Sequence, residues 1–249
     1  MRFRKIVLAL FACLALGAFA ANAAQAAEGE GWTIGTTENQ TTAGTLIPKG
    51  THEPITCKKH GTSSLVLTST ILGAPIEITA EGIDCVEATI DNTTSKGHSE
   101  GKLTFTGVKV VKPAGCSVPG GEITTEKLTD QVSMDTKVAG STSVLDKFFT
   151  EGGPWDTVAL AGAECPLAEI STPLNGTLCG EFAHTNSAGT GFEPNKTGTL
   201  TKVQTLVFGK AQQETGGCAL TTGKAAATIT GSVDFSLSGI NVGKPWGVD

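Results

Sequence analysis

Ala227-Thr228-Ile229-Thr230-Gly231-Ser232-Val233-Asp234-Phe235-Ser236-Leu237-Ser238 decides the fold class of this chain. Ile229, Val233, Phe235 and Leu237 share one parity, and Thr228, Thr230, Ser232, Asp234 and Ser236 share the other. Successive side chains of an extended strand point to opposite faces, so this period of two means one buried face and one wet face. Gly231 falls on the apolar parity, which marks a bulge or the close approach of another backbone.

Similar signals recur on both sides. Ser64–Leu72 and Pro75–Ala80 flank Gly73-Ala74 as a hairpin. Cys85–Asn92 and Lys102–Val111 flank a polar turn, and Glu122–Asp135, Thr157–Ala161, Gly176–Ala183 and Thr199–Phe208 continue the pattern. Gly and Thr interrupt nearly every apolar run, so no window reads as a full helix, and Ser143–Phe149 reads as one short helical turn. The expected fold is all-β, an antiparallel β-sandwich or jelly-roll-like domain over residues 51–249. It stands as one unit or as two similar modules, 51–140 and 150–249. The second arrangement rests on an echo between Phe105…Gly115-Cys116 and Phe208…Gly217-Cys218. Residues 27–50, with Trp32, read as an extended N-terminal lead-in.

The first 26 residues read as a cleaved signal peptide. Met1–Lys5 is basic, Ile6–Ala20 is apolar, and Ala24-Gln25-Ala26 fits a small-x-small cleavage site. Leu10-Phe11-Ala12-Cys13 is a poor lipobox, because Phe11 is bulky and apolar sequence continues past Cys13. No later apolar run is long enough to cross a bilayer, so the mature chain is expected to carry no membrane span and to be secreted, extracellular or bound to the cell envelope. The leader also takes Arg2, Arg4 and Lys5, so the formal charge of −6 becomes −9 on its removal. Arg2 and Arg4 are the only arginines, and Tyr is absent. Phosphate backbones need clustered Lys and Arg, which excludes nucleic acid as a partner.

Beyond the leader stand Cys57, Cys85, Cys116, Cys165, Cys179 and Cys218. An even number in an exported chain predicts three disulfides, each contributing about 2–4 kcal/mol. Several connectivities remain open. Nearness in sequence favours Cys85–Cys116 and Cys165–Cys179, leaving Cys57–Cys218. Cys57-Lys58-Lys59-His60 has no second ligand pair at zinc spacing, and neither a metal nor a cofactor is expected.

Gly97-His98-Ser99-Glu100-Gly101 spells Gly-x-Ser-x-Gly and Ser99-Glu100-Gly101-Lys102 spells Ser-x-x-Lys, but no helix is expected after them to form the strand-to-helix elbow that catalysis needs. His52, His60, His98 and His184 lie in polar, turn-like surroundings. Asp84/Glu87, Glu126/Asp130 and Glu151/Asp156 are nominal carboxylate pairs of the kind glycoside hydrolysis uses. The sequons at Asn39, Asn92, Asn175 and Asn195 mark expected exposed loops. Two Pro-Trp turns, at Trp155 and Trp246, are the candidate ligand-binding residues, since an indole held in a rigid turn can stack on a sugar or another flat apolar face.

Several stretches together carry a family likeness: Gly101-Lys102-Leu103-Thr104-Phe105-Thr106-Gly107, Pro113-Ala114-Gly115-Cys116, Gly121-Glu122-Ile123-Thr124-Thr125, and the ending Ala227–Gly231, Phe235–Gly239 and Gly243-Lys244-Pro245-Trp246-Gly247. They resemble a broad set of exported β-rich actinobacterial proteins without assigned activity, and the likeness spans most of the mature chain. Some of those proteins carry Cys directly after Phe-Thr-Gly, where this chain has Val108, so their disulfide pattern does not transfer to Cys116. The resemblance implies secretion and an actinobacterial source, and assigns no chemistry. The expected function is that of a secreted non-catalytic β-sandwich protein with a binding or structural role, its partner a glycan or an envelope component. The alternative is a secreted glycan-active hydrolase using a carboxylate pair.

Overall fold

A computed structural model describes residues 31–40, 44–93, 97–134, 144–182, 200–214 and 218–248. The expected leader with Cys13, His184 and the Asn195 sequon lie outside the described residues. Among the described residues the chain is all-β, with one short α-helix, α1 (Lys210–Glu214). Its strands, numbered in chain order, form a barrel and two sheets that close its ends.

The barrel strands are β3 (Glu53–Lys59), β6 (Gly82–Asp91), β7 (His98–Thr106), β10 (Leu128–Met134), β11 (Val144–Phe149), β14 (Leu178–Phe182), β15 (Val203–Phe208) and β17 (Ala225–Leu237). Each pairs antiparallel with the next in this order, and β17 returns to β3 with Val233 opposite Lys59 and Leu237 opposite Ile55. The result is a closed eight-stranded antiparallel barrel rather than the expected sandwich. Alternating strands suit both architectures; what distinguishes them is the pairing of the last barrel strand with the first, a contact across nearly the whole chain.

The inward parity carries Ile55, Leu103, Val132, Phe148, Leu206 and Phe235, and these side chains fill the barrel. The outward parity carries Thr56, Lys58, Asp84, Lys102, Gln131 and Asp234, a polar wall unlike a lipid-facing band. Among the described residues no helix is long and apolar enough to cross a membrane.

The four connections at one end of the barrel are long. They carry β4 (Leu65–Ile71) with β5 (Ala74–Ala80), β8 (Lys109–Lys112) with β9 (Glu122–Thr124), β12 (Asp156–Ala159) with β13 (Ser171–Gly176), and α1 with β16 (Leu220–Thr222). Seven strands form the cap sheet in the order β8-β5-β4-β17-β16-β13-β12. The β4–β5 hairpin turns at Leu72 and Gly73, both with positive φ, as two-residue hairpins favour. At Gly231 the strand β17 changes partners. Thr228–Thr230 lie beside β4 and Val233–Leu237 beside β3. Gly231 has φ +131°, and a Cβ there would sit 2.6 Å from Leu65 Cδ2 and 3.3 Å from Leu65 Cα. This is the close approach its place on the apolar parity predicts.

The ring draws β3, β6, β7 and β10 from residues 53–134 and β11, β14, β15 and β17 from residues 144–237. The echo between Phe105…Cys116 and Phe208…Cys218 falls on the third barrel strand of each half and the excursion after it. Ser143–Phe149, read as a helical turn, is instead β11: Val144, Asp146 and Phe148 face inward with a period of two.

The lead-in is part of the fold. β1 (Trp32–Ile34) pairs with β2 (Thr45–Leu46) and with β18 (Trp246–Val248). Trp32 is 1% exposed, lies 5.4 Å from Trp246 and meets Phe182 edge-on at 5.9 Å. Asn92, at a sequon expected to mark an exposed loop, is buried and holds this segment. Its Nδ2 donates to Trp32 O (2.8 Å) and Ile47 O (3.0 Å), and its Oδ1 accepts from Trp32 N (2.7 Å).

Candidate functional site

The cap does not lie flat. Leu67 on β4, Ile78 on β5, Ile229 on β17, Leu174 on β13 and Val158 on β12 all line one space, so the cap sheet curls from one edge toward the other. Phe105 on β7 and Ile123 on β9 close the opposite side. The space they line is about 50 Å³. Its walls are nearly all apolar, the character of a small-molecule pocket.

The Cys116–Cys165 disulfide joins the β8–β9 excursion to the β12–β13 excursion across this cap. Ser117 and Ala161 exchange backbone hydrogen bonds beside it. Cys57–Cys85 links the barrel strands β3 and β6, and Cys179–Cys218 links β14 to the segment before β16. The expected pairs Cys85–Cys116, Cys165–Cys179 and Cys57–Cys218 are therefore corrected. Sequence distance does not govern pairing here; the Cα atoms must come within bonding range, and the observed pairs stand 4.4–5.8 Å apart. Three disulfides fit folding in an oxidising compartment.

Neither candidate Trp presents a face to solvent. Trp155 is 0% exposed, and its indole N–H donates to Gly176 O at 2.9 Å. It closes the inner wall of the cleft as packing, held by Trp155 N to Leu174 O (2.7 Å) and Glu126 N to Trp155 O (2.6 Å). Trp246 is 1% exposed and packs on Trp32 at the opposite end of the barrel from the cap. A surface stacking role for either ring is corrected on this ground: each indole is more stable against apolar neighbours than in water. A second cleft, of about 440 Å³, opens at the Trp246 end between Ile34, Thr45, Pro48 and Lys244, and Trp246 is not among its walls.

The acidic residues pair differently from their sequence spacing. Asp84, Glu87 and Glu151 are exposed. Asp130 on β10 and Asp146 on β11 both point into the barrel and meet there, each 4% exposed. Ser99 Oγ donates to Asp130 Oδ2. Burial raises the Asp130 carboxyl well above its usual range, and the neighbouring Asp146 adds to the rise. Burial also pushes Asp146 up to about 7, against a hydrogen bond with Asp130 that pulls it down. Burial therefore keeps both carboxyls protonated below neutral pH, since two adjacent carboxylates ionise only at high cost in an apolar core. Asp130 and Ser99 also line a space of only about 20 Å³ with Ile55, Leu103 and Phe148. Asp146 had no place among the sequence candidates; reading Val144–Phe149 with a period of two would have set it on the inward parity.

A second acidic pair stands at the cleft. Asp156, at the start of β12, lines it, and Glu126 lies close by. Burial raises the Asp156 carboxyl; the Thr157 N–H lowers it, and the charge of Glu126 adds to the rise.

The histidines lie elsewhere. His98 Nδ1 (3.0 Å) and His52 Nδ1 (3.4 Å) both face Asp91 Oδ2, and His60 Nδ1 lies 2.8 Å from Asp234 Oδ1 on the outer wall, where Thr205 Oγ1 also donates. Burial alone would raise Asp91, but bonds from Thr93 and His98 outweigh it and hold its carboxyl below the usual range. Among the described residues no group of three His, Cys, Asp or Glu side chains is arranged to hold a metal ion.

These features define a disulfide-bonded, eight-stranded antiparallel β-barrel with an apolar cleft under its cap. No protein-family model, curated protein or solved structure matches the chain.

Proposed function

We propose that this is a secreted, non-catalytic binding protein of the extracellular space or cell envelope, and that it takes a small apolar ligand in the cleft beneath the cap. The observation that carries this reading is the curled cap sheet with its apolar walls, joined across by Cys116–Cys165. A filled barrel has no room for a guest, so the cleft is where a ligand gains from leaving water. The leader-like first 26 residues, the three disulfides and the likeness to exported actinobacterial β proteins support the assignment to the outside of the cell.

The test is a titration with N-phenyl-1-naphthylamine, a neutral dye that fluoresces in apolar sites, followed by methyl NMR. Saturable enhancement is expected, with shifts at Ile78, Ile123 and Ile229, which line the cleft, and none at Ile55 and Ile90 inside the barrel. Absence of enhancement, or shifts confined to residues outside the cap, would overturn the reading.

A further inference from the structure

We propose that the ligand of this cleft is a small amphiphile with a cationic amine head, an alkyl- or arylalkylamine whose nitrogen pairs with Asp156 while its apolar body fills the space under the cap. This rests on the cleft reading above and adds the chemistry of the head group.

The polar side chains of the walls decide it. Apart from the Trp155 N–H, which Gly176 O takes, they are Thr79, Thr125 and Asp156. Thr125 Oγ1 already accepts from Leu103 N at 3.0 Å, and Thr79 Oγ1 donates to Lys109 O at 3.5 Å. Asp156 is the one ionisable lining residue, and its only bond is the N–H of Thr157. The charged group that acts on it is Glu126, another acid. Three lysines of the neighbouring excursions are engaged: Lys109 with Glu81, Lys112 with Glu77 at 2.9 Å, and Lys127 with Glu100 at 2.7 Å. An apolar cleft therefore sits beside two carboxylates that no cation among the described residues neutralises.

Charge complementarity selects the guest. A fatty acid would bring a third negative charge to this rim. A neutral alcohol would gain a hydrogen bond to Asp156 and no ion pair. An ammonium group would gain both, at a half-buried site where the surroundings screen less than water does. It would also relieve the repulsion between Asp156 and Glu126.

The experiment displaces N-phenyl-1-naphthylamine at neutral pH with octylamine, 1-octanol or octanoate, which share one chain and differ in head group. Octylamine is expected to act at about tenfold lower concentration than octanol, the worth of one charge-assisted pair at such a site, and octanoate to be the weakest. In Asp156→Asn the ratio between octanol and octylamine should fall to near one, and in Glu126→Gln, whose side chain is exposed, it should fall by a smaller factor. Equal displacement by all three, or an amine preference that survives Asp156→Asn, overturns the head-group assignment and leaves the apolar cleft standing. Failure of the dye to bind overturns the cleft, and this proposal with it.

Discussion

Replacing Asp146 by Asn should remove the Asp146 share of a pH-dependent loss of stability that the buried carboxyl pair imposes on the barrel, leaving the share of Asp130, whose carboxyl burial also raises. Asp146 is pushed up to about 7 in the fold from an ordinary 3.8. Between those values the folded chain keeps its proton and the unfolded chain has lost it. Unfolding then releases a proton, so stability falls as pH rises across this window and is highest below it. At about 1.4 kcal/mol per pH unit, the full interval amounts to roughly 4 kcal/mol. For a domain of this size about 1 kcal/mol moves Tm by 2–4 °C, so the fall from pH 4 to pH 8 is roughly 8–16 °C. Asn keeps the shape of Asp, carries no charge and can still bond Asp130. The variant should match the parent near pH 4 and melt several degrees higher at pH 8. Differential scanning calorimetry of both proteins at pH 4, 5, 6, 7 and 8 provides the comparison. The contacts of His52 and His98 with Asp91 and of His60 with Asp234 are common to both proteins and cancel in the difference. Parallel Tm profiles, offset by the same amount at every pH, would refute the raised Asp146 carboxyl.

Gly231→Ala should destabilise by about 2–4 kcal/mol, because φ +131° is closed to L residues and the new Cβ meets Leu65 backbone at 3.3 Å; a denaturant midpoint that does not move would show that β17 changes partners without strain. Asn92→Ala should cost about 2–3 kcal/mol by removing the bonds to the Trp32 amide and the Ile47 carbonyl, while Trp32 O keeps the Ile47 N–H. Hydrogen exchange should then show Thr33 and Ile34 losing protection while β15 and β17 keep theirs, and full retention at the lead-in would contradict the role given to Asn92.

Local signals account for much of the barrel. Ala227–Leu237 lies within β17, and the hairpin around Gly73 is β4 with β5. Short strands without a clean alternation escaped notice: β3, β13 and β16 have Pro, Gly or Thr where a periodic apolar residue would be needed to see them. Val144–Phe149 misled because Asp146 breaks its apolar parity, and the same carboxyl is the group whose burial matters most there.

Composition and period two are properties of neighbouring residues, and so the sequence by itself determined that this chain is all-β, that its strands have a wet face and a dry one, and that Gly231 marks either a bulge or a close approach. The tertiary structure alone decided the rest. Closure depends on β17 finding β3, separated by most of the chain. The disulfides depend on which excursions share the cap, and so join Cys116 to Cys165 rather than to Cys85. The two indoles placed at exposed turns by their Pro-Trp sequences became core, because the turns that hold them fold inward against Gly176 and Trp32. Asp156 and Glu126, thirty positions apart, became neighbours at one cleft because Glu126 N bonds Trp155 O. Each of these outcomes needs long-range contacts to bring together atoms whose local sequence carries no record of the partner.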